Sequence, residues 1–182
     1  NSKHPFTAES CLQADVAIEF SSPELAVDHL KLCIENQIPV ISGTTGWYSH
    51  YDDIKAHCNH HNSAIFTATN FSLGVNLFFE MSKRLTQLMT NQPYKLSIEE
   101  IHHTEKKDAP SGTAITLAQG ILKNYKSLKE WYLVGEGEEN PNSLPITAKR
   151  IDPAPGTHIV RYSSPIDDIE ITHTAHSRQG FA

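Results

Sequence analysis

Apolar and polar positions change rhythm near residue 72. Before it, short apolar runs alternate with amphipathic stretches. Asp15-Val-Ala-Ile-Glu-Phe20 reads as a short buried strand. Ser21 or Ser22 then caps a helix with Pro23 in its first turn, and Leu25, Ala26, His29, Leu30, Cys33 and Ile34 recur at spacings of three and four. Pro39-Val-Ile-Ser42 is a second strand, ending at Gly43-Thr44-Thr45-Gly46. A polar helix follows over about 50–61, and Ala64-Ile-Phe-Thr67 forms a third strand that ends at Ala68-Thr69-Asn70-Phe71. Residues 1–14 are polar and show no period. Strand, helix, strand, helix, strand is the rhythm of an α/β unit with a parallel sheet and helical crossovers. Ligands of such sheets sit at the carboxyl ends of the strands, where the loops at Phe20, Gly43 and Ala68 lie.

From residue 72 the pattern differs. Residues 72–90 form a long amphipathic helix with Leu73, Leu77, Phe78, Met81, Leu85 and Leu88 along one stripe. Residues 94–103 read as a strand, 111–124 as a second helix, and 136–145 as a loop rich in Gly, Glu, Asn and Pro. Three more strands are expected over 146–151, 158–163 and 169–174, joined by turns such as Pro155-Gly156 and Asp167-Asp168. The second part, 72–182, is therefore an α+β domain with a mixed or antiparallel sheet, and the first is 1–71.

Composition narrows the function. A net charge of −6 with no basic block argues against nucleic acid as a partner. The longest apolar run falls far short of the roughly 20 residues a membrane helix needs, so no membrane partner is expected. Cys11, Cys33 and Cys58 are odd in number and widely spaced, which fits a reducing cytoplasm better than a disulfide framework.

The densest chemistry lies in Glu100-Ile-His-His-Thr-Glu-Lys-Lys-Asp-Ala-Pro-Ser-Gly-Thr-Ala114. A strand delivers His102 and His103, Lys106 and Lys107 follow, and Ser111, Gly112 and Thr113 open a helix whose first amides have no helical partner. A histidine can move a proton near neutral pH, and a lysine adds positive charge. The set suits a small carboxylate whose reaction needs a proton. Taken singly, each feature has a plainer reading: a helix cap, an exposed histidine, solvated lysines. The cluster His57-Cys-Asn-His-His61 has zinc-like helical spacing but reads as a solvent-facing helix end, and no metal is expected.

The stretch from His102 to Ala114 resembles the signature His-His-x-x-Lys-x-Asp-Ala-Pro-Ser-Gly-Thr-Ala of the dihydrodipicolinate reductases at every defined position. The resemblance continues in Glu19-Phe-Ser-Ser-Pro23, Gly43-Thr-Thr-Gly46, Asn70-Phe-Ser-Leu-Gly-Val-Asn76, Gly156-Thr-His158 and Ile171-Thr-His-Thr-Ala-His-Ser-Arg178 with Phe181-Ala182. It implies a partial Rossmann-like dinucleotide-binding domain followed by a substrate-binding and oligomerisation domain. It further implies reduction of 4-hydroxy-tetrahydrodipicolinate with NADH or NADPH in lysine and diaminopimelate biosynthesis. By position, His102 and Lys106 match the family's proton-transfer residues. His103, Ser111, Gly112 and Thr113 match contacts to a small cyclic dicarboxylate substrate. Gly43, Thr44, Thr45, Ala68, Thr69, Asn70 and Phe71 match cofactor contacts, with Arg178 and Phe181 bordering the cofactor. A homotetramer built through the second sheet is also implied, with Ile159, Val160, Ile169 and Ile171 as apolar strand surface. The family's Gly-x-x-Gly-x-Met-Gly-type loop does not precede Asp15, so these 182 residues alone are expected to hold the cofactor weakly. Two other readings remain at this level: a two-domain dehydrogenase acting on another imine or carbonyl, and a carboxylate-binding module without redox activity.

Overall fold

A computed structural model describes residues 6–136, 139–177 and 180. The chain divides into two compact units, Asn1–Thr69 and Asn70–Ala182.

In the first unit, a single-turn helix α1 (Ala8–Cys11) precedes strand β1 (Ala17–Glu19). Sequence periodicity missed α1 because one turn has none; a capping box between Thr7 and Ser10 holds it. Helix α2 (Pro23–Glu35) starts with Ser22 at the N-cap and Pro23 in the first turn, as its sequence requires. Strand β2 (Val40–Ser42), helix α3 (Tyr51–His60) and strand β3 (Ile65–Thr67) complete an all-parallel sheet of order β1-β2-β3. Ala26, Leu30, Cys33 and Ile34 of α2 pack with Ile54 and Cys58 of α3, Val40 and Trp47. Ala17 and Ile65 pack against this cluster on the same face of the sheet.

The expected buried character of β1 is not observed. Ile18 is 70% exposed while Glu19 is buried. Strand alternation explains this: Ile18, Ile41 and Phe66 are register partners in one row, on the face opposite α2 and α3.

The second unit begins with α4 (Leu73–Met89), capped by the Ser72 hydroxyl, which accepts the Val75 amide. Strand β4 (Lys95–His102), helix α5 (Gly112–Leu122), and strands β5 (Glu130–Leu133), β6 (Ser143–Arg150), β7 (Gly156–Ser163) and β8 (Asp168–Ala175) follow. The sheet order is β5-β6-β4-β7-β8; β4 runs parallel to β6 and antiparallel to β7, so the sheet is mixed. The four-residue strand β5, which sequence reading missed, owes its structure to pairing with β6. Along β4 alternation turns Leu96, Ile98, Glu100 and His102 inward. The first two join Leu144, Ile146, Val160 and Tyr162 beneath α4 and α5; the last two carry polarity into the same layer. No helix among the described residues is long and apolar enough to cross a membrane.

Two expectations need correction. Val160 is not surface but core, because it faces the helices along with Tyr162 and His158. On α4 the expected stripe is largely exposed: Leu73, Leu77, Met81 and Leu88 face outward, and Val75, Phe78, Ser82, Thr86 and Met89 are buried. The inner stripe is partly polar because Thr86 has partners there: its hydroxyl bonds the Ser82 carbonyl at 2.7 Å and the Tyr162 hydroxyl at 2.8 Å.

The corrected helix face makes a direct prediction. Phe78→Ala should cost about 3–5 kcal/mol of stability, whereas neighbouring Leu77→Ala should cost under about 0.5 kcal/mol. Urea denaturation of both variants checks this; equal losses would restore the original stripe.

Candidate active site

At the carboxyl end of β4 the inward series Leu96, Ile98 gives way to Glu100 and His102. Glu100 has no solvent exposure. Both its carboxylate oxygens accept the Ser111 amide at 3.1 Å, and the Arg150 guanidinium of β6 lies 3.3 Å from one of them. His102 Nδ1 and His158 Nε2 each approach the other oxygen at 3.6 Å. Burial alone would raise the Glu100 carboxyl, but His158, Ser111 and His102 around it hold it at about 2. Burial lowers His102 to about 4, outweighing the pull of Glu100, with His158, Lys106 and Arg150 adding to the lowering. His102 is therefore a neutral imidazole at pH 7.

The loop from His103 to Ser111 is pinned from one side. Arg150 donates to the carbonyls of Lys106 at 3.2 Å and Asp108 at 2.7 Å. Thr104 donates through its amide (3.0 Å) and hydroxyl (2.7 Å) to Asp152. Lys106 Nζ contacts both oxygens of Asp108 at 2.7 and 2.8 Å. The half-buried His103 lines a cavity of about 410 Å³ with Thr104, Glu105, Asp152, Pro153 and Pro155, and its enclosed Nε2 has no partner.

Ser111 is buried, and each of its polar groups is engaged: the amide on Glu100, the hydroxyl on His158 Nε2 (3.1 Å) and the Ala114 amide (3.2 Å). The Ile115 amide returns to the Ser111 carbonyl as the first helical bond. That leaves the Gly112 and Thr113 amides as the first-turn donors available to a ligand. A Cβ built at Gly112 would meet nothing within 4 Å, so open space lies beside this helix start.

Glu100, His102, Lys106, Ser111, Gly112 and Thr113 thus gather in the second unit, joined by Arg150 and His158, to which sequence reading gave no role, whereas His103 faces the cavity beside Asp152. Glu100, His102 and His158 also place three ligand-type atoms within 4.8 Å of one another. Arg150 already supplies the positive charge on Glu100, so the cluster reads as a hydrogen-bonded hub. His57, His60 and His61 do not form such a cluster; His57 Nε2 instead faces Glu35 at 3.2 Å.

In the first unit, Gly43, Thr44 and Thr45 follow β2, and with Phe20, Ser21 and Pro23 they line an open cavity of about 340 Å³. A Cβ on Gly43 would come within 2.1 Å of the Phe20 ring, so a side chain there would have to displace that ring. Thr44 is buried, and its hydroxyl donates to Glu19 at 2.8 Å while accepting the Ser21 amide at 2.8 Å. Ser42 also donates to Glu19, at 2.7 Å, and Ser21 through both amide and hydroxyl. Burial would raise Glu19; these hydrogen bonds more than offset it and lower the carboxyl. Ala68 and Thr69 follow β3, with the Ala68 amide 3.4 Å from the Ser42 carbonyl. In the second unit, Asn70 holds the entry to α4, accepting from the Ser72 amide (2.8 Å) and the Asn76 side chain (2.9 Å), with half-buried Phe71 between. Arg178 and Phe181 lie outside the described residues.

Residues 74–182 match the family model described as dihydrodipicolinate reductase, C-terminus, and residues 4–71 the one described as dihydrodipicolinate reductase, N-terminus. The chain belongs to the dihydrodipicolinate reductase family. It is similar to the 4-hydroxy-tetrahydrodipicolinate reductase of Christiangramia forsetii, 52% identical over 93% of this chain and 70% of that one. Against the same enzyme of Neisseria meningitidis serogroup B identity is 36%, over 93% of this chain and 64% of the relative. A solved structure of dipicolinate-bound dihydrodipicolinate reductase from Paenisporosarcina sp. TG-14 matches with a TM-score of 0.72 at 25% identity, over 95% of this chain and 68% of that one. The family's reaction is the reduction of 4-hydroxy-tetrahydrodipicolinate in lysine biosynthesis, an oxidoreductase step that uses a nicotinamide cofactor. Of the three readings of the sequence, the reductase is the one these relatives support.

The buried Glu100–His102 cluster should make the fold acid-sensitive. His102 falls from 6.5 to about 4 in the folded state. A depressed value means that the folded form binds the proton less readily than the unfolded form. Its contribution to stability is complete above 6.5 and is lost as pH falls towards 4. Urea midpoints measured at pH 7, 5.5 and 4 should decline, and His102→Gln should flatten that decline. A wild-type midpoint unchanged down to pH 4 would contradict a neutral, enclosed His102.

Proposed function

We propose that the second unit is the substrate-binding and oligomerisation domain of the reductase and that the first contributes the nicotinamide contacts. The observation that carries the reading is the α5 start, where two unengaged amides and open space stand in the same loop segment as a lysine and a neutral histidine. The substrate is a small cyclic dicarboxylate. Gly112 and Thr113 hold one carboxylate through their amides, Thr113 adds its hydroxyl, and His103 and Lys106 supply further donors and charge. Ser111 shapes this pocket from beneath, since its own polar groups are engaged inward.

To Gly43, Thr44, Thr45, Ala68, Thr69, Asn70 and Phe71 we assign contacts to NADH or NADPH, and the resemblance adds Arg178 and Phe181. The cavity over Gly43 and the aromatic Phe20 fit the flat nicotinamide end, and the Thr44 hydroxyl, committed to Glu19, leaves the loop backbone and Thr45 facing outward. The bound cofactor supplies a hydride. This chain's residues bind and orient the substrate ring and handle the proton that the reduction requires. With the 4-hydroxyl and a hydrogen of the adjacent ring carbon lost as water, the reduction would add hydride at the former hydroxyl-bearing carbon and a proton at its ring neighbour. Lys106, hydrogen-bonded to Asp108, is the donor; neutral His102 accepts and relays.

Self-association into a homotetramer would use the outer face of the second sheet. Half-buried Ile101 and Ile159 sit there among the pairs Lys149–Glu99 and Arg161–Glu170. Three free, buried cysteines support a reducing cytoplasm as its location.

Steady-state kinetics separate the roles. Lys106→Met and His102→Gln should lower kcat by about two to four orders of magnitude, the range for a positioned acid or base. Gly112→Ala adds one methyl at the open helix start and should raise KM for the dicarboxylate with kcat largely kept. Near-normal kinetics in all three would overturn the site. Light scattering at micromolar concentration should give a tetramer, and a monomer would remove the assembly from the proposal.

A further inference from the structure

The reaction above uses His102 but assigns nothing to Glu100, the one carboxylate among the described residues of the second unit that solvent does not touch. A buried carboxylate is costly unless donors surround it, and here the Ser111 amide and Arg150 provide them. One further group points at it without another partner. His102 Nδ1 is enclosed, makes no hydrogen bond, and lies 3.6 Å from Glu100 Oε2. His158 Nε2 lies at the same distance but is engaged with the Ser111 hydroxyl at 3.1 Å.

A neutral imidazole has one N–H and one lone pair. A lone pair on Nδ1 facing an enclosed carboxylate would be repelled; an N–H there would be attracted. The two residues stand on the same face of β4, two positions apart, so the strand itself fixes their juxtaposition. We propose that Glu100 is a positioning residue that fixes His102 as the Nδ1–H tautomer, so that Nε2 presents a lone pair to the substrate, with Arg150 anchoring Glu100 and the Lys106–Asp108 segment together. This rests on the reading of His102 as a reacting group. Every charged or titratable neighbour of His102 is compatible: Glu100 attracts the Nδ1 proton, while His158, Lys106 and Arg150 oppose a second one. His102 therefore enters the cycle as a proton acceptor and becomes a donor only after Nε2 has taken a proton. Arg150, bonded to Glu100 and to the Lys106 and Asp108 carbonyls, links this orientation to the placement of the lysine.

A plain structural role would leave Glu100 as a cap for the Ser111 amide, indifferent to the histidine. Nitrogen-15 NMR of the histidine rings in the wild-type protein, with His102 identified by its loss in His102→Gln, decides this without perturbing Glu100. The expected result at pH 7 is protonated Nδ1 and unprotonated Nε2; the reverse tautomer overturns the proposal. Glu100→Gln can offer its amide N–H to Nδ1, so it should shift His102 towards the Nε2–H form. It should also lower kcat about 10–100-fold, the usual loss when a carboxylate that orients a histidine is removed. Substrate KM should change less than about twofold, because the glutamine carbonyl can still accept the Ser111 amide and keep the α5 start in place. Glu100→Asp, which keeps the charge, should recover part of kcat. Unchanged kcat and tautomer in a folded Glu100→Gln protein would also overturn it. If Glu100→Gln does not fold, Arg150→Lys provides the second variant, with a mixed His102 tautomer expected and an unchanged one counting against the anchor. Failure of the underlying site reading looks different: His102→Gln would then keep its turnover whatever tautomer the wild-type ring adopts.

Discussion

A carboxylate sealed from water can exist in a protein only where donors converge on it, and the second unit is arranged around such a group. Glu100 draws together an amide from the α5 start, a guanidinium from the end of β6, and two imidazoles from β4 and β7. Each partner belongs to a different element, so the contact fixes where α5 begins relative to the sheet. It also decides which first-turn amides remain open. Because Glu100 takes the Ser111 amide and the Ser111 hydroxyl caps Ala114, the helix start presents Gly112 and Thr113 and nothing else. The proposed anion pocket is in this sense the complement of the buried anion beneath it.

The first unit uses a related device with weaker donors. Glu19, at the end of β1, is surrounded by the hydroxyls of Ser21, Ser42 and Thr44 and the Ser21 amide rather than by a guanidinium. These groups come from the ends of β1 and β2 and bind the loops that follow them. The conformation of Gly43, Thr44 and Thr45 therefore depends on a carboxylate carried by the neighbouring strand. In both units a glutamate lies near the carboxyl end of a strand, and in both its carboxylate binds the segment that follows the strand.

Much of this was legible in the sequence, and what was not has physical causes. The α2 helix, β4, α5 and the mixed second sheet follow from periodicity and capping residues. On α4 the chain carries two overlapping stripes, and hydrophobicity favours Leu73, Leu77 and Met81. The buried stripe includes Ser82 and Thr86, whose polar atoms find partners inside, and no apolar count registers that. Short elements such as α1 and β5 owe their existence to a capping box and a neighbouring strand. At the site, the residues from His102 to Thr113 are contiguous and their chemistry could be read directly. Arg150 and His158 could not, because they reach Glu100 only through the register of β6 and β7 with β4, which pairs His102 with Arg150 and Glu100 with His158. The glycine-threonine-histidine run at 156–158 was visible as a pattern without its reason.

The same geometry bears on how a substrate carboxylate would gain access to Lys106. The ammonium is mostly shielded, with its side chain 20% exposed, while its partner Asp108 is 61% exposed. An ion pair open to solvent on one side contributes at most about 0–1 kcal/mol, so exchanging Asp108 for another carboxylate costs little. What the pair does in the free protein is hold the lysine side chain in place, and the loop that carries it is independently fixed by Arg150 at the Lys106 and Asp108 carbonyls. The backbone is thus rigid where the side-chain contact is replaceable. A ligand entering at Gly112 and Thr113 meets a cation already positioned, held by a partner weak enough to give way, beside a histidine that burial keeps neutral. Removing the carboxylate of Asp108 would leave the backbone pins intact and free only the side chain, which separates the placement of the charge from the placement of the loop.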